Sequence, residues 1–304
     1  MLPQLLAAYE DDTPDLVLHD TGAIAGPVAA ARWGAPAAQL SPTFVPWDGW
    51  EDDPEDPLAA LRGRPAFARL HDGVAAWLAE RGVDLRPEDL LRSERTVVVV
   101  PRAMQPHADR VGPGVTFAGA SFDDARLAEG AWRPPAGATP TAFVGFGTAY
   151  AAAAEVHRAC IAGLAGRWHV VIAGARYDPA ALGPLPPGVE VHRSLPQLAA
   201  LRHARVFVTH AGMGGSVEAL WQGVPVVAIP RSMDQFANAA RLEAIGAGVR
   251  LPVERVTPEA VRAAVERVTS DPALAARMVA LREEVRSEGG AGAAADAIEA
   301  LLGA

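Results

Sequence analysis

The chain has 304 residues, half of them hydrophobic, and a formal net charge of −9 from 27 basic residues, all arginine, against 36 acidic ones. That length and apolar fraction describe a globular protein with room for two domains, and the acidic balance argues against nucleic acid as a partner. Cys160 is the only cysteine, which excludes an internal disulfide or a cysteine zinc cluster, and the lack of a membrane-length apolar run or a leader-like start reads as a cytoplasmic protein without membrane insertion.

The chain opens on a predicted amphipathic helix, "LPQLLAAYEDD". Short β-branched runs then alternate with alanine-rich helical stretches, the pattern of a parallel sheet with crossover helices. Strands are predicted at "DLVL" (15–18), "AAQL" (37–40), "TVVVV" (96–100) and "VTFAG" (115–119). After them come "AFVGFG" (142–147), "WHVVIAG" (168–174), "VEVH" (189–192), "RVFVT" (205–209), "PVVAIP" (225–230) and "GVRLP" (248–252). Segment 41–95 carries several aromatics and few strand signals, and reads as loop and helices around something apolar, although any one Trp or Phe there fits ordinary core. The acidic runs "EDDPED" and Asp123–Asp124 read as solvated loops, not a metal site.

"RPPAGATP" (133–140) reads as a linker, dividing the chain into 1–132, 133–140 and 141–304. The C-terminal part holds six predicted strands. A doubly wound half normally opens on a strand, whereas this chain opens on a helix, so the N-terminal domain is expected to lack about three strands ahead of Met1. "DLVL" would then lie at an open sheet edge, inviting association with other chains.

The sharpest motif is "THAGMGGSVEAL" (209–220), where a strand hands over to a helix through three glycines. In an open α/β sheet ligands bind beyond the carboxyl ends of the strands. Gly212, Gly214 and Gly215 would let the backbone approach a ligand closely, and the helix start would aim free N–H groups and a positive dipole end at a phosphate. His210 and the Ser216 hydroxyl could add donors, and Glu218 could reach a sugar hydroxyl. The dinucleotide fingerprint does not fit, since Val217 stands where its third glycine is needed and Asp234 lies four residues past Pro230.

On these residues, "SLPQLAALRHARVFVTHAGMGGSVEALWQGVPVVAIPRSMDQFANAARLEAIGAG" (194–248) resembles the donor-binding signature of family 1 GT-B glycosyltransferases. "DLVLHD" and "LSPTFVPW" are similar to the bacterial macrolide glycosyltransferases of the oleandomycin type. The resemblance implies two Rossmann-like doubly wound domains facing a cleft, with the donor in the C-terminal one. It implies inverting transfer of a hexose from a UDP- or dTDP-sugar to a hydroxyl of a hydrophobic acceptor such as a macrolide, without metal or cofactor. His210 is then expected on the pyrophosphate, with the Gly214–Gly215–Ser216 amides. Glu218 is expected on the ribose, Gln197 beside the nucleobase, Asp234 and Gln235 on the donor sugar hydroxyls, and Thr148 near the phosphates. A plainer alternative makes Asp234 a helix N-cap.

Two departures stand out. Ser194 occupies a position where family members commonly carry a base-stacking Trp. The family's catalytic histidine falls in a strand–loop that this chain does not contain, while Asp20 matches its carboxylate partner. His19 is a poor substitute, because neighbours on a strand point to opposite faces. Slow transfer, or none, is therefore expected. The alternatives are a catalytically impaired nucleotide-sugar-binding partner protein derived by truncation, or a GT-B epimerase.

Overall fold

A computed structural model describes residues 1–50, 64–90, 93–123, 132–147, 154–174, 179–232 and 234–302. It divides into two compact units: Met1–Ser121 with Glu288–Ala304, and Phe122–Ser287.

Unit 1 begins with α1 (Leu2–Ala8), β1 (Val17–Asp20), α2 (Ala25–Trp33) and β2 (Ala37–Ser41), followed by α3 (Pro65–Ala79), β3 (Thr96–Val98) and β4 (Val115–Phe117). Its strands form a parallel sheet in the order β1-β2-β3-β4, with Leu18 opposite Ala38 and Leu40 opposite Val97. β1 forms one edge and leaves Leu18 43 % exposed. It starts two residues later than the predicted run, which brings His19 and Asp20 into the strand. Helix α2 stops at Gly34, whose φ of 67° lets its N–H turn back to the Ala30 and Ala31 carbonyls. Val28 and Ala29 of α2 pack with Leu2, Leu78, Val83 and Leu90 in one apolar cluster.

Unit 2 holds β5 (Thr141–Gly145), α4 (Ala154–Leu164), β6 (His169–Ala173), β7 (Val189–His192), α5 (Gln197–Leu201) and β8 (Ala204–Thr209). It continues with α6 (Met213–Gln222), β9 (Val226–Ala228), α7 (Asp234–Ala244), β10 (Gly248–Arg250), α8 (Pro258–Ser270) and α9 (Pro272–Ser287). The parallel order β10-β9-β8-β5-β6-β7 is the doubly wound order, with the first strand of the unit, β5, beside the fourth, β8. β5 and β6 are buried end to end, as expected for strands with helices on both faces. Val144, Val170, Ile172, Val206, Val208 and Val227 meet Cys160 and Leu164 of α4 and Val261 and Val265 of α8. Burial pushes the Cys160 thiol up to about 12, so it serves as a small apolar residue.

The last helix, α10 (Gly290–Leu302), corrects the expected 141–304 domain. Its Ala293, Ala294, Ala297 and Ile298 pack on Leu40, Val97 and Ala118, so the chain returns to unit 1. Small side chains let this helix lie close to the sheet. The other boundary shifts as well, from 132 to Ser121. Segment 133–140 belongs to unit 2, where Ala138 N–H bonds the Pro135 carbonyl and the His169 amide bonds that of Pro140.

Candidate phosphate and nucleotide site

β5 and β8 flank the point where the strand order of unit 2 reverses, and beyond their carboxyl ends lies the crevice in which doubly wound sheets hold ligands. β5 runs on through Phe146 to Gly147, and β8 through His210 and Ala211 to Gly212, which caps α6. The His210 imidazole stands between the two glycines. A Cβ on Gly147 would lie 2.9 Å from its Cε1, and one on Gly212 would lie 2.6 Å from its Nε2. Both positions are glycine because the ring fills the space a side chain would need. Gly147 also has φ +71°, a conformation that costs other residues strain.

Ala211 shows that strain directly. It is fully buried with φ +61°, in the left-handed region where a non-glycine residue is uncommon. Asn238 of α7 holds it there, donating from Nδ2 to the Ala211 carbonyl at 3.0 Å and to Asp234 Oδ2 at 3.0 Å. The strained turn aims the start of α6 at the crevice. Gly214, in the first turn, is exposed with nothing within 4 Å of its would-be Cβ, so the approach stays open.

The helix start departs from expectation in one detail. Ser216 donates both its amide and its hydroxyl to the Gly212 carbonyl, each at 3.0 Å, and is fully buried. It therefore stands inside the helix ladder and does not contribute to the amides expected at Gly214–Gly215–Ser216. The amides without an intrahelical acceptor are those of the first three helical residues, Met213, Gly214 and Gly215. They present a positive end to an anion.

Burial holds the His210 pKa below its ordinary 6.5, and Arg231 pushes the same way. A hydrogen bond to the Gly145 backbone and the charge of Asp234 oppose it. The neutral ring has a single N–H, which the Gly145 backbone accepts, so its other nitrogen donates to an anion only when the ring is protonated.

A second pair of glycines serves Gln197. A Cβ on Gly145 would stand 3.1 Å from its Oε1, and one on Gly215 would stand 3.3 Å from its Nε2. Gln197, at the start of α5, donates from Nε2 to Glu218 Oε2. Burial pushes the Glu218 carboxyl up, and this hydrogen bond draws it partly back. Asp234 is exposed at the first position of α7, whereas Gln235 is buried and accepts the Arg231 amide at 2.9 Å.

Unit 2 therefore gathers Gln197, His210, Gly212, Gly214, Gly215, Glu218 and Asp234 around one switch point. Thr148 lies outside the described residues. Asp20, at the end of β1 in unit 1, is exposed and accepts the Gly22 amide at 2.9 Å, while His19 is buried with its Cβ close against Gly26. Gly145, Gly147, Gly174, Ala211 and Asn238 were missed as part of this frame. The strand-end glycines of "GFG" and "IAG" were the available signal, since Gly174 (φ +79°) packs against the Gly147 carbonyl. Among the described residues, no group of three or more His, Cys, Asp or Glu could hold a metal ion, and no helix is long and apolar enough to cross a membrane.

A doubly wound sheet with a glycine-framed helix start at its switch point is the arrangement in which such folds place phosphate-bearing ligands. Comparison with known proteins narrows that class. Residues 167–301 match the family model "Erythromycin biosynthesis protein CIII-like, C-terminal domain". Oleandomycin glycosyltransferase of Streptomyces antibioticus is 42 % identical over 99 % of this chain and 71 % of its own length. The NDP-glycosyltransferase YjiC of Bacillus licheniformis is 31 % identical over 99 % of this chain and 76 % of its own. The crystal structure of the glycotransferase of kitacinnamycin superposes with a TM-score of 0.91 at 42 % identity, over 99 % of this chain and 79 % of that one. The chain belongs to the GT-B glycosyltransferase family, of the oleandomycin type.

Proposed function

We propose that unit 2 binds a UDP- or dTDP-hexose at the α6 start and that the protein transfers the hexose, with inversion, to a hydroxyl of a hydrophobic acceptor such as a macrolide, in the cytoplasm. The observation that carries this reading is the His210 ring seated between Gly147 and Gly212 beside the open first turn of α6. That arrangement presents backbone N–H groups where a diphosphate would sit, and an imidazole nitrogen that becomes a second donor when the dianion's charge draws a proton onto the ring. The acceptor hydroxyl gives up its proton to a base on the acceptor side as its oxygen attacks the anomeric carbon in line. The bond from that carbon to the diphosphate oxygen breaks, and negative charge gathers on the departing diphosphate. One such preorganised donor is worth roughly 3–4 kcal/mol in the transition state. In this reading Glu218 and Gln197 serve the nucleoside, and Asp234 and Gln235 the hexose hydroxyls. Asp20 is the acceptor-side carboxylate, and the charge on the leaving group is met without a metal ion or cofactor.

Calorimetry of the full chain with UDP and with dTDP tests the donor half. His210→Ala should weaken the bound diphosphate by about 2 kcal/mol, as for a hydrogen bond to a charged group. Binding of neither nucleotide to the unaltered protein would refute the assignment. Whatever transfer the chain performs, slow as it is expected to be, should persist in excess chelator, and its abolition by chelator would refute the metal-independent part.

A further inference from the structure

The far end of α6 is as carefully held as its start. Trp221, in the last turn, is 9 % exposed and meets two residues from distant parts of the chain. Phe122 lies edge-on to it, with ring centroids 5.4 Å apart and planes at 72°. Arg286 lies over it, Cζ 4.6 Å from the ring centroid, and donates from Nε to the Trp221 carbonyl at 3.0 Å. That carbonyl is one of the last four of the helix, which lack an intrahelical donor. Arg286 thus caps the negative end of the α6 dipole and covers its ring at once.

Phe122 and Arg286 also have a topological distinction. The chain leaves unit 1 after Ser121 and returns to it at Glu288, so these two residues stand just inside unit 2 beside its two crossings. On the unit 1 side the crossings are fastened as well. Glu288 Oε1 accepts the Arg102 amide at 2.9 Å, and the Gly290 amide donates to the Ala118 carbonyl at 2.8 Å. Gly119 and Gly290 both have positive φ, and a Cβ on either would stand within 2.8 Å of the other segment's atoms: 2.4 Å from Glu288 Oε2, and 2.7 Å from the Ala120 carbonyl. What remains between these clamps is a short stretch of chain at each crossing.

We propose that Trp221 is a positioning residue that couples the donor diphosphate site to both chain crossings, with α6 as the strut between them. The proposal rests on the reading that α6 receives a diphosphate at its start. An anion bound there draws on the whole helix, because the backbone hydrogen bonds of a helix form one cooperative ladder. A shift or stiffening of α6 reaches Phe122 and Arg286 through the indole they share. Coupling of this kind is reciprocal, so a change at the crossings alters diphosphate affinity by the same factor.

Hydrogen exchange on the full chain, with and without saturating UDP or dTDP, tests this. The expected result is slower exchange at 209–216 and, on the order of fivefold, at 118–123 and 284–290, the low end of usual coupling. Trp221→Ala should keep protection at 209–216 and lose it at both crossings, and Trp221→Phe, which retains a ring, should restore most of it. Arg286→Ala, a change on α9, gives the same test without removing the indole and should lose protection at 284–290 first. Protection at 209–216 with no change at the crossings of the unaltered protein would overturn the coupling while leaving the donor assignment intact. Protection at neither place would overturn both.

Discussion

The two units present the carboxyl ends of their parallel sheets in different ways. In unit 2, four glycines at and just past the ends of β5 and β8, Gly145, Gly147, Gly212 and Gly215, leave room for two functional side chains, His210 and Gln197. In unit 1 the described residues just past β2 and β3, 42–50 and 99–110, pack through their side chains. Gln105 is fully buried and pins Val45 at both its amide and its carbonyl, at 2.9 and 3.0 Å. Trp47 packs on His107, 5.1 Å between centroids, and on Trp50, 6.4 Å. A ligand group common to all donors, the diphosphate, suits a rigid backbone frame. A varied hydrophobic acceptor suits apolar side chains whose identity can change without altering the sheet. The contrast fits the proposed division of labour.

The largest expected effect sharpens the comparison through pH. In unit 2, burial and then Arg231 push the His157 pKa down to about 4 from 6.5. Its ring lies 5.3 Å from Phe146, beside the β5 end. The unfolded chain takes up this proton near pH 6.5 and the folded one near 4, so the stability it lends is complete above 6.5 and is lost as pH falls towards 4. The loss is on the order of 3 kcal/mol. In unit 1, half-buried His71 has its pKa raised, chiefly by its hydrogen bond to Glu88, so its small contribution has the opposite sign, present below 6.5 and lost as pH rises. Denaturant unfolding from pH 7.5 to 4.5 should show His157→Asn flattening the acid limb and His71→Gln leaving it unchanged. An acid limb that ignores His157→Asn would break the contrast.

Next comes the backbone frame itself. Gly147→Ala adds a methyl 2.9 Å from the His210 ring at φ +71°. Strain of about 1–3 kcal/mol should appear as roughly tenfold to hundredfold weaker diphosphate binding in calorimetry. In unit 1, Asp20→Asn should leave that affinity unchanged, because Asp20 is assigned to the acceptor side.

A smaller effect separates sugar from diphosphate. Asp234→Ala should weaken a sugar nucleotide by about tenfold, the worth of a hydrogen bond or two to a carboxylate, and the free diphosphate much less. Equal losses for both ligands would mean that Asp234 acts through Asn238 and the strained Ala211 turn instead.

The smallest effect is expected at Ser216. Its hydroxyl is spent on the Gly212 carbonyl, so Ser216→Ala should change diphosphate affinity by less than about twofold, as for a serine bonded back to its own helix. A large loss would return this hydroxyl to the phosphate.

Much of this was legible without coordinates. All ten predicted strands appear, because β-branched runs between turn residues report on local backbone preference and burial together. The motif at 209–220 announced a strand, a tight turn and a helix start, since glycines at such a handover have few other uses. The clustering of Gln197, Glu218 and His210 around one crevice was expected through resemblance, and their distances were not.

What the sequence determined by itself is therefore local: the alternation of strands and helices, the glycine turn after β8, and the residue types offered to a diphosphate. Tertiary structure decided the rest. It placed β5 beside β8, so that Gly147 and Gly212 enclose one imidazole from two distant segments. It sent α10 back to unit 1 through an alanine face that composition alone could not assign to either sheet. It also spent the Ser216 hydroxyl inside α6 and joined Phe122 and Arg286 on Trp221. The reason is physical: turn chemistry and periodicity act over a few neighbouring residues, whereas the space left for a side chain is set by atoms dozens of residues away in the chain.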